Sequence, residues 1–74
     1  MDHQDNRQLM EAIAGMPPLL AQIVRRRFGI GGEAETLFEI GASMQLSRER
    51  IRQLEKKALG ILRLKIDEIA RVAA

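Results

Sequence analysis

Seventy-four residues with a formal net charge of +2, 46% hydrophobic and without cysteine make one small domain or a piece of a longer chain. The lack of cysteine excludes a disulfide framework and a thiolate zinc site, and no apolar run is long enough to span a bilayer. The opening Met1-Asp2-His3-Gln4-Asp5 is polar and acidic, unlike a secretory signal, so a cytoplasmic protein is expected.

In chain order, every periodic stretch is helical, and no strand-like alternation, internal repeat or low-complexity tract occurs. Residues 1–6 are expected to fray, with Asp5 or Asn6 capping a first helix that runs to about Ala14 and turns Leu9, Met10 and Ile13 inward. Gly15 ends it. Pro17 and Pro18 suit the start of a second helix, where a missing N–H costs no hydrogen bond. That helix reaches Phe28, with Leu20, Ile23, Val24 and Phe28 as its core face. Gly29-Ile30-Gly31-Gly32 breaks it and begins a loop to Glu35.

Thr36-Leu37-Phe38-Glu39 has the capping-box pattern, with Thr36 as cap and Glu39 reaching back. The short helix it opens turns Leu37, Ile40 and Gly41 inward and stops near Ser43. Met44-Gln45-Leu46 is a tight connection, and Ser47 caps a last helix running to about Val72. A short helix, a turn of three or four residues and a longer basic helix make a helix-turn-helix, with Gly41 where the two helices approach. The expected fold is all-α: a four- to five-helix domain over residues 1–74, with the helix-turn-helix at 36–59 and a helical extension at 60–74.

The start of the last helix carries the most chemistry. Ile51, Leu54 and Ala58 make one apolar stripe, while Arg48, Glu49, Arg52, Gln53 and Lys56 fall on other faces, flanked by Arg50 and Lys57. Arg pairs with guanine, Glu accepts from cytosine N4 and Gln suits adenine, so these turns are equipped to read base edges in a major groove. Between Ile40 and Ile66 seven basic residues (Arg48, Arg50, Arg52, Lys56, Lys57, Arg63, Lys65) face two acids, Glu49 and Glu55. Such a local excess suits a phosphate backbone. It also suits a plain helical bundle whose charges only solubilise it, with Glu55 paired on its own helix to Arg52, Lys56 or Lys57. Of Arg25-Arg26-Arg27, Arg27 is expected to be partly packed and the others solvated.

Arg27-Phe28-Gly29, Thr36-Leu37, Glu39-Ile40-Gly41, the run Ser47-Arg48-Glu49-Arg50-Ile51-Arg52-Gln53-Leu54-Glu55, Lys57-Ala58-Leu59 and Leu62-Arg63 together resemble region 4 of the sigma-70 family of bacterial transcription initiation factors. The resemblance spans about residues 15–63 and is most specific from Ser47 to Leu59. It implies binding to the −35 promoter element through the last helix and docking on the β-subunit flap of RNA polymerase. Carried over, it implies base contacts from Arg48, Glu49 and Gln53. It implies phosphate contacts from Ser47, Arg50, Arg52 and Lys57, and from the helix start at Thr36 and Leu37. Backbone N–H groups at a helix start suit a phosphate on physical grounds alone.

The chain also departs from that pattern. Leu19 and Leu20 stand where the family usually has Arg-Glu, Phe38 where it commonly has Glu, Gln45 where it has Gly or Asp, and Gly60-Ile61 where activators often grip basic residues. Nothing resembles the family regions that bind the −10 element or the polymerase core, so this is expected to be an excised domain or a free-standing relative. Leu59, Leu62, Ile66, Ile69 and Ala73 continue a second apolar stripe, expected to cover Leu9, Met10 and Ile13 of the first helix rather than form a partner seam.

No enzyme is expected: there is no paired acid and base, no nucleophile constellation, and the Gly29–Gly32 run lacks the Lys-Ser/Thr of a P-loop. His3 is the single histidine, so neither a metal site nor a cofactor is expected. Met16 and Met44 suit core filling, whereas Leu19, Phe38 and Ile61 are candidate protein contacts. Three functional classes follow. The first is a reader of double-stranded promoter DNA acting with the RNA polymerase core. The second is a sigma-like protein-interaction module that binds the flap or a regulatory partner, such as an activator or anti-sigma protein, with weak DNA binding. The third is a dimeric repressor. None involves a membrane.

Overall fold

A computed structural model describes residues 3–73, with side chains described from Arg7 to Val72. Four helices follow one another: α1 (His3–Ala14), α2 (Pro18–Phe28), α3 (Leu37–Met44) and α4 (Arg48–Ala73). Helix α1 begins ahead of the expected cap at Asp5 or Asn6, and the side chains of residues 1–6 lie outside the described residues. The 26 residues of α4 make a rod about 39 Å long, matching the longest dimension of the molecule, 41 Å. Helices α1, α2 and α3 all pack on it, and α1 does not meet α3.

The inward face of α1 is Leu9, Ala12 and Ile13, an i, i+3, i+4 row, and Met16, just past the end of the helix, joins the same core. Met10, expected inside, is 46% exposed, since it lies about 100° around the helix from Leu9, off the inward face. The end of α1 tightens, with the Gly15 N–H donating to the Glu11 and Ala12 carbonyls and the Met16 N–H to Ile13. Extended Pro17 then leads into Pro18 at the first turn of α2, the one place where proline's lost donor is harmless.

Leu20, Ala21, Ile23 and Val24 of α2 are buried. Phe28 is not: it is 55% exposed, since it lies beyond the last buried turn and next to Gly29, the left-handed residue (φ 71°) that stops the helix. The following loop is pinned rather than loose. Arg26 grips Glu35 with two bonds, Nε–Oε2 of 2.8 Å and Nη2–Oε1 of 2.7 Å. The Glu35 N–H donates to the Arg26 carbonyl at 2.8 Å. This clamp delivers Thr36 to the start of α3.

There the capping box forms in both directions. The Glu39 N–H donates to Thr36 Oγ1 at 3.1 Å, and the Thr36 N–H donates to Glu39 Oε1 at 2.9 Å. Ile40 and Gly41 are buried, while Leu37 is only half-buried. The helix runs one residue past Ser43, to Met44. Gln45 then takes the left-handed conformation (φ 60°) and its N–H bonds the Gly41 carbonyl. The Leu46 N–H bonds the same carbonyl at 2.8 Å.

The core gathers Ala12, Ile13, Met16, Leu20, Ala21, Ile23, Val24, Ile40, Ile51, Leu54, Ala58 and Leu62. No polar or charged residue is buried among the described residues. Met16 is core and Met44 is partly buried against it. Farther along α4, Leu62 is buried and Ile66 and Ile69 pack partly against the cluster, so the extension lies along α1 as expected. Leu59 departs from that stripe at 38% exposed, and the Ala73 side chain lies outside the described residues. Among the described residues no helix is long and apolar enough to cross a membrane.

Two predictions concern the turn and the clamp. A Cβ at Gly41 would lie 2.6 Å from the Leu46 carbonyl oxygen, so Gly41→Ala destabilises by about 1–3 kcal/mol. Gln45→Gly relieves the left-handed strain and stabilises by roughly 1 kcal/mol; both read out as shifts of the urea midpoint. Hydrogen bonding from Arg26 holds the Glu35 carboxyl below the usual carboxylate range. Its contribution is therefore complete above the unfolded-state value and is lost as pH falls through the lower native value. Glu35→Gln flattens the acid limb of the stability profile below about pH 5 while leaving its shape at neutral pH unchanged.

Candidate nucleic-acid interface

Helix α4 starts on a firm cap: the Arg50 N–H donates to Ser47 Oγ at 3.0 Å and the Ile51 N–H to the Ser47 carbonyl at 3.0 Å. From there the helix divides cleanly. Ile51, Leu54 and Ala58 are buried. With 3.6 residues per turn, Arg48, Glu49, Arg52, Gln53 and Lys56 come out on the opposite side, and all five are exposed. The three expected base readers, Arg48, Glu49 and Gln53, therefore share one solvent-facing surface. Arg50 and Lys57, expected on phosphates, flank it and are exposed as well.

Within this surface Glu49 and Arg52 are joined. Arg52 Nε donates to Oε2 at 2.8 Å and to Oε1 at 3.2 Å, and Nη2 donates to Oε1 at 2.6 Å. These bonds hold the Glu49 carboxyl below the usual carboxylate range and raise the Arg52 guanidinium. Glu49 is thus an ionised acceptor throughout the neutral range. Arg50 Nη1 reaches Gln53 Oε1 only at 3.5 Å, a long contact that leaves the Gln53 amide free to turn.

The start of α3 faces the start of α4 across an open cleft of about 350 Å³, lined by Thr36, Leu37 and Phe38 on one side and Arg48, Glu49 and Arg52 on the other, with Arg27 between. Thr36 Oγ1 accepts the Glu39 N–H in the capping box, which leaves its O–H, beside the first free backbone N–H groups of α3 at Leu37 and Phe38, as donors suited to an anion. Phe38 is 69% exposed at the rim of this cleft and Leu19 is 45% exposed on α2. Ile61, the third expected protein contact, is half-buried and packs against the core.

Two connections escaped sequence reasoning. Glu55 does not pair along its own helix: Arg27 Nε reaches its Oε2 at 2.9 Å, tying α2 to α4. Arg27 Nη1 also donates to the Glu35 carbonyl at 3.3 Å. A pair 28 residues apart leaves no periodic signal. Of the arginine run, Arg25 is exposed, whereas Arg26 and Arg27 are both partly covered and engaged.

The family model for sigma-70 region 4 matches residues 12–64. The chain is 44% identical over 57 residues to the RNA polymerase sigma factor SigA of Clostridium acetobutylicum, covering 76% of this chain and 15% of that protein. It is 41% identical over 63 residues to sigma factor SigA4 of Synechococcus elongatus, covering 84% of this chain and 20% of that one. Against the principal sigma factor HrdD of Streptomyces coelicolor it is 42% identical over 65 residues, covering 86% and 18%. The chain spans at most a fifth of the length of these curated relatives. The helix-turn-helix, its glycine contact and the matched span agree: this chain belongs to the sigma-70 region 4 family.

Proposed function

We propose that this domain acts in transcription initiation as a non-enzymatic reader of promoter DNA, binding a −35-type element through the first turns of α4 and docking on the β flap of RNA polymerase. One observation carries the reading of DNA. Arg48, Glu49 and Gln53 leave α4 on one exposed face while Ile51, Leu54 and Ala58 fix the opposite face in the core. Guanine, cytosine and adenine edges are the partners those side chains suit. Arg50, Arg52, Lys57, the Ser47 cap and the backbone start of α3 border that face and suit phosphates. The names of the relatives support a role with RNA polymerase.

A second reading keeps the fold and replaces DNA by protein: a module that binds the flap, an activator or an anti-sigma partner, with weak DNA affinity. The exposure of Phe28, Phe38 and Leu19 favours it, since exposed large apolar side chains suit protein surfaces. Pull-down with the isolated flap tip, run beside a DNA gel shift, separates the readings. Flap capture without any duplex shift at physiological salt favours the second.

The DNA-reading proposal is tested with short duplexes carrying a −35-type or a scrambled element. Neutralising three phosphates with Arg50, Arg52 and Lys57 makes affinity fall about 40-fold between roughly 50 and 200 mM salt. Arg48→Ala or Gln53→Ala lowers discrimination between the two duplexes by about 1–3 kcal/mol. Lys57→Ala weakens both alike and reduces the salt slope by about one. Unchanged discrimination in Arg48→Ala rejects the base-contact assignment.

A further inference from the structure

We propose that Arg52 is a positioning residue for Glu49, so that the two side chains read one base pair as a unit. The proposal rests on the DNA-reading assignment above and deepens it. A glutamate on the first turn of a helix has three rotatable bonds, and fixing it against a base edge costs rotamer freedom. Here that freedom is already restricted in the free protein, because Arg52 holds both carboxylate oxygens, at 2.6 and 2.8 Å for the shorter bonds.

The lone pairs and hydrogens divide in a useful way. Glu49 Oε1 accepts from both Nη2 and Nε, whereas Oε2 accepts from Nε alone. Oε2 therefore keeps an acceptor position for an exocyclic amine such as cytosine N4. Arg52 has committed Nε–H and one Nη2 hydrogen, and its Nη1 edge and second Nη2 hydrogen remain for a phosphate oxygen. One guanidinium thus joins base reading to backbone anchoring. Among the described residues no other carboxylate engages Arg52. Both side chains are more than half exposed, at 55% and 59%, so a duplex can reach them without any rearrangement of the core. Lysine provides the charge but not the fork.

The test is selection of the 74-residue chain from a duplex pool randomised over the contacted positions, for wild type, Glu49→Ala, Arg52→Ala, Arg52→Lys and the double alanine variant. Circular dichroism checks that each surface variant keeps its helix content. Wild type is expected to prefer a C·G pair at one position, and Glu49→Ala to reduce that preference roughly tenfold. Arg52→Ala reduces the same preference to within about twofold of Glu49→Ala, and the double variant goes no further. Arg52→Lys recovers part of the overall affinity that Arg52→Ala loses, but not the preference. Retention of the preference in Arg52→Ala, with affinity lost on every duplex alike, overturns the proposal. So do multiplying losses in the double variant. Wild type selecting no sequence at all rejects the DNA-reading assignment itself, which is a different result from either.

Discussion

Where α3 meets the turn, the backbone at Gly41 comes so near Leu46 that a Cβ would sit 2.6 Å from its carbonyl oxygen. The Gly41 carbonyl in turn accepts from both Gln45 and Leu46. That double closure fixes how many residues lie between the helices and hence which residue is first in α4. The count matters because a shift of one residue turns every side chain on a helix by about 100°. With the start fixed by Ser47 and the rotation fixed by the burial of Ile51, Leu54 and Ala58, the direction of Arg48, Glu49 and Gln53 is not free to vary. The polar face owes its orientation to apolar contacts on the other side of the same helix.

Ion pairing sorts the basic residues into two populations. Arg26 is spent on Glu35, and Arg27 on Glu55 and the Glu35 carbonyl. These hold the loop and join α2 to α4. Arg48, Arg50, Lys56 and Lys57 have no carboxylate partner among the described residues and stand exposed on α4. Glu55, drawn toward Arg27, is kept from opposing a polyanion, and Glu49 is matched by Arg52. Exposed pairs of this kind add little to stability. Their effect is on geometry and on where positive potential remains.

The helices and the exposed polar face of α4 were legible because they depend on local rules. The capping box at Thr36, the Ser47 cap, the two proline positions and the 3.6-residue stripe at Ile51, Leu54 and Ala58 each act within one or two turns. Gly41 was legible because it lies between two recognisable helices. Reasoning from side-chain size failed at Met10 and Phe28, which looked like core, and at Ala12, which is core despite its size. There position decides: Met10 lies off the inward face of its helix and Phe28 beyond the last buried turn of α2. The Arg26–Glu35 and Arg27–Glu55 pairs were not legible, since they depend on how the loop and α2 lie against other elements. Thr36 and Leu37 were read as a helix start that presents backbone N–H groups, and the capping box does set that start at the edge of the cleft.

The departures from the family pattern also sort by burial. Leu20 is 5% exposed within the core, so an apolar residue there is a packing choice and does not alter the surface. Gln45 adopts the left-handed conformation that a glycine would take at lower cost, so this chain accepts strain in its turn. Leu19 and Phe38 do change the surface. At Phe38 the change bears on recognition. With no carboxylate at that position, the acid lining the cleft is Glu49, and Arg52 already compensates it. Arg48 and the N-terminal end of α3 then set the sign of the potential, which favours an anion. Compared with an acid, phenylalanine takes a negative charge off the rim of the cleft and adds exposed apolar area there. The same helix pair can therefore change the charge and polarity of its rim while its core, and with it the direction of the exposed polar face, stays as it is.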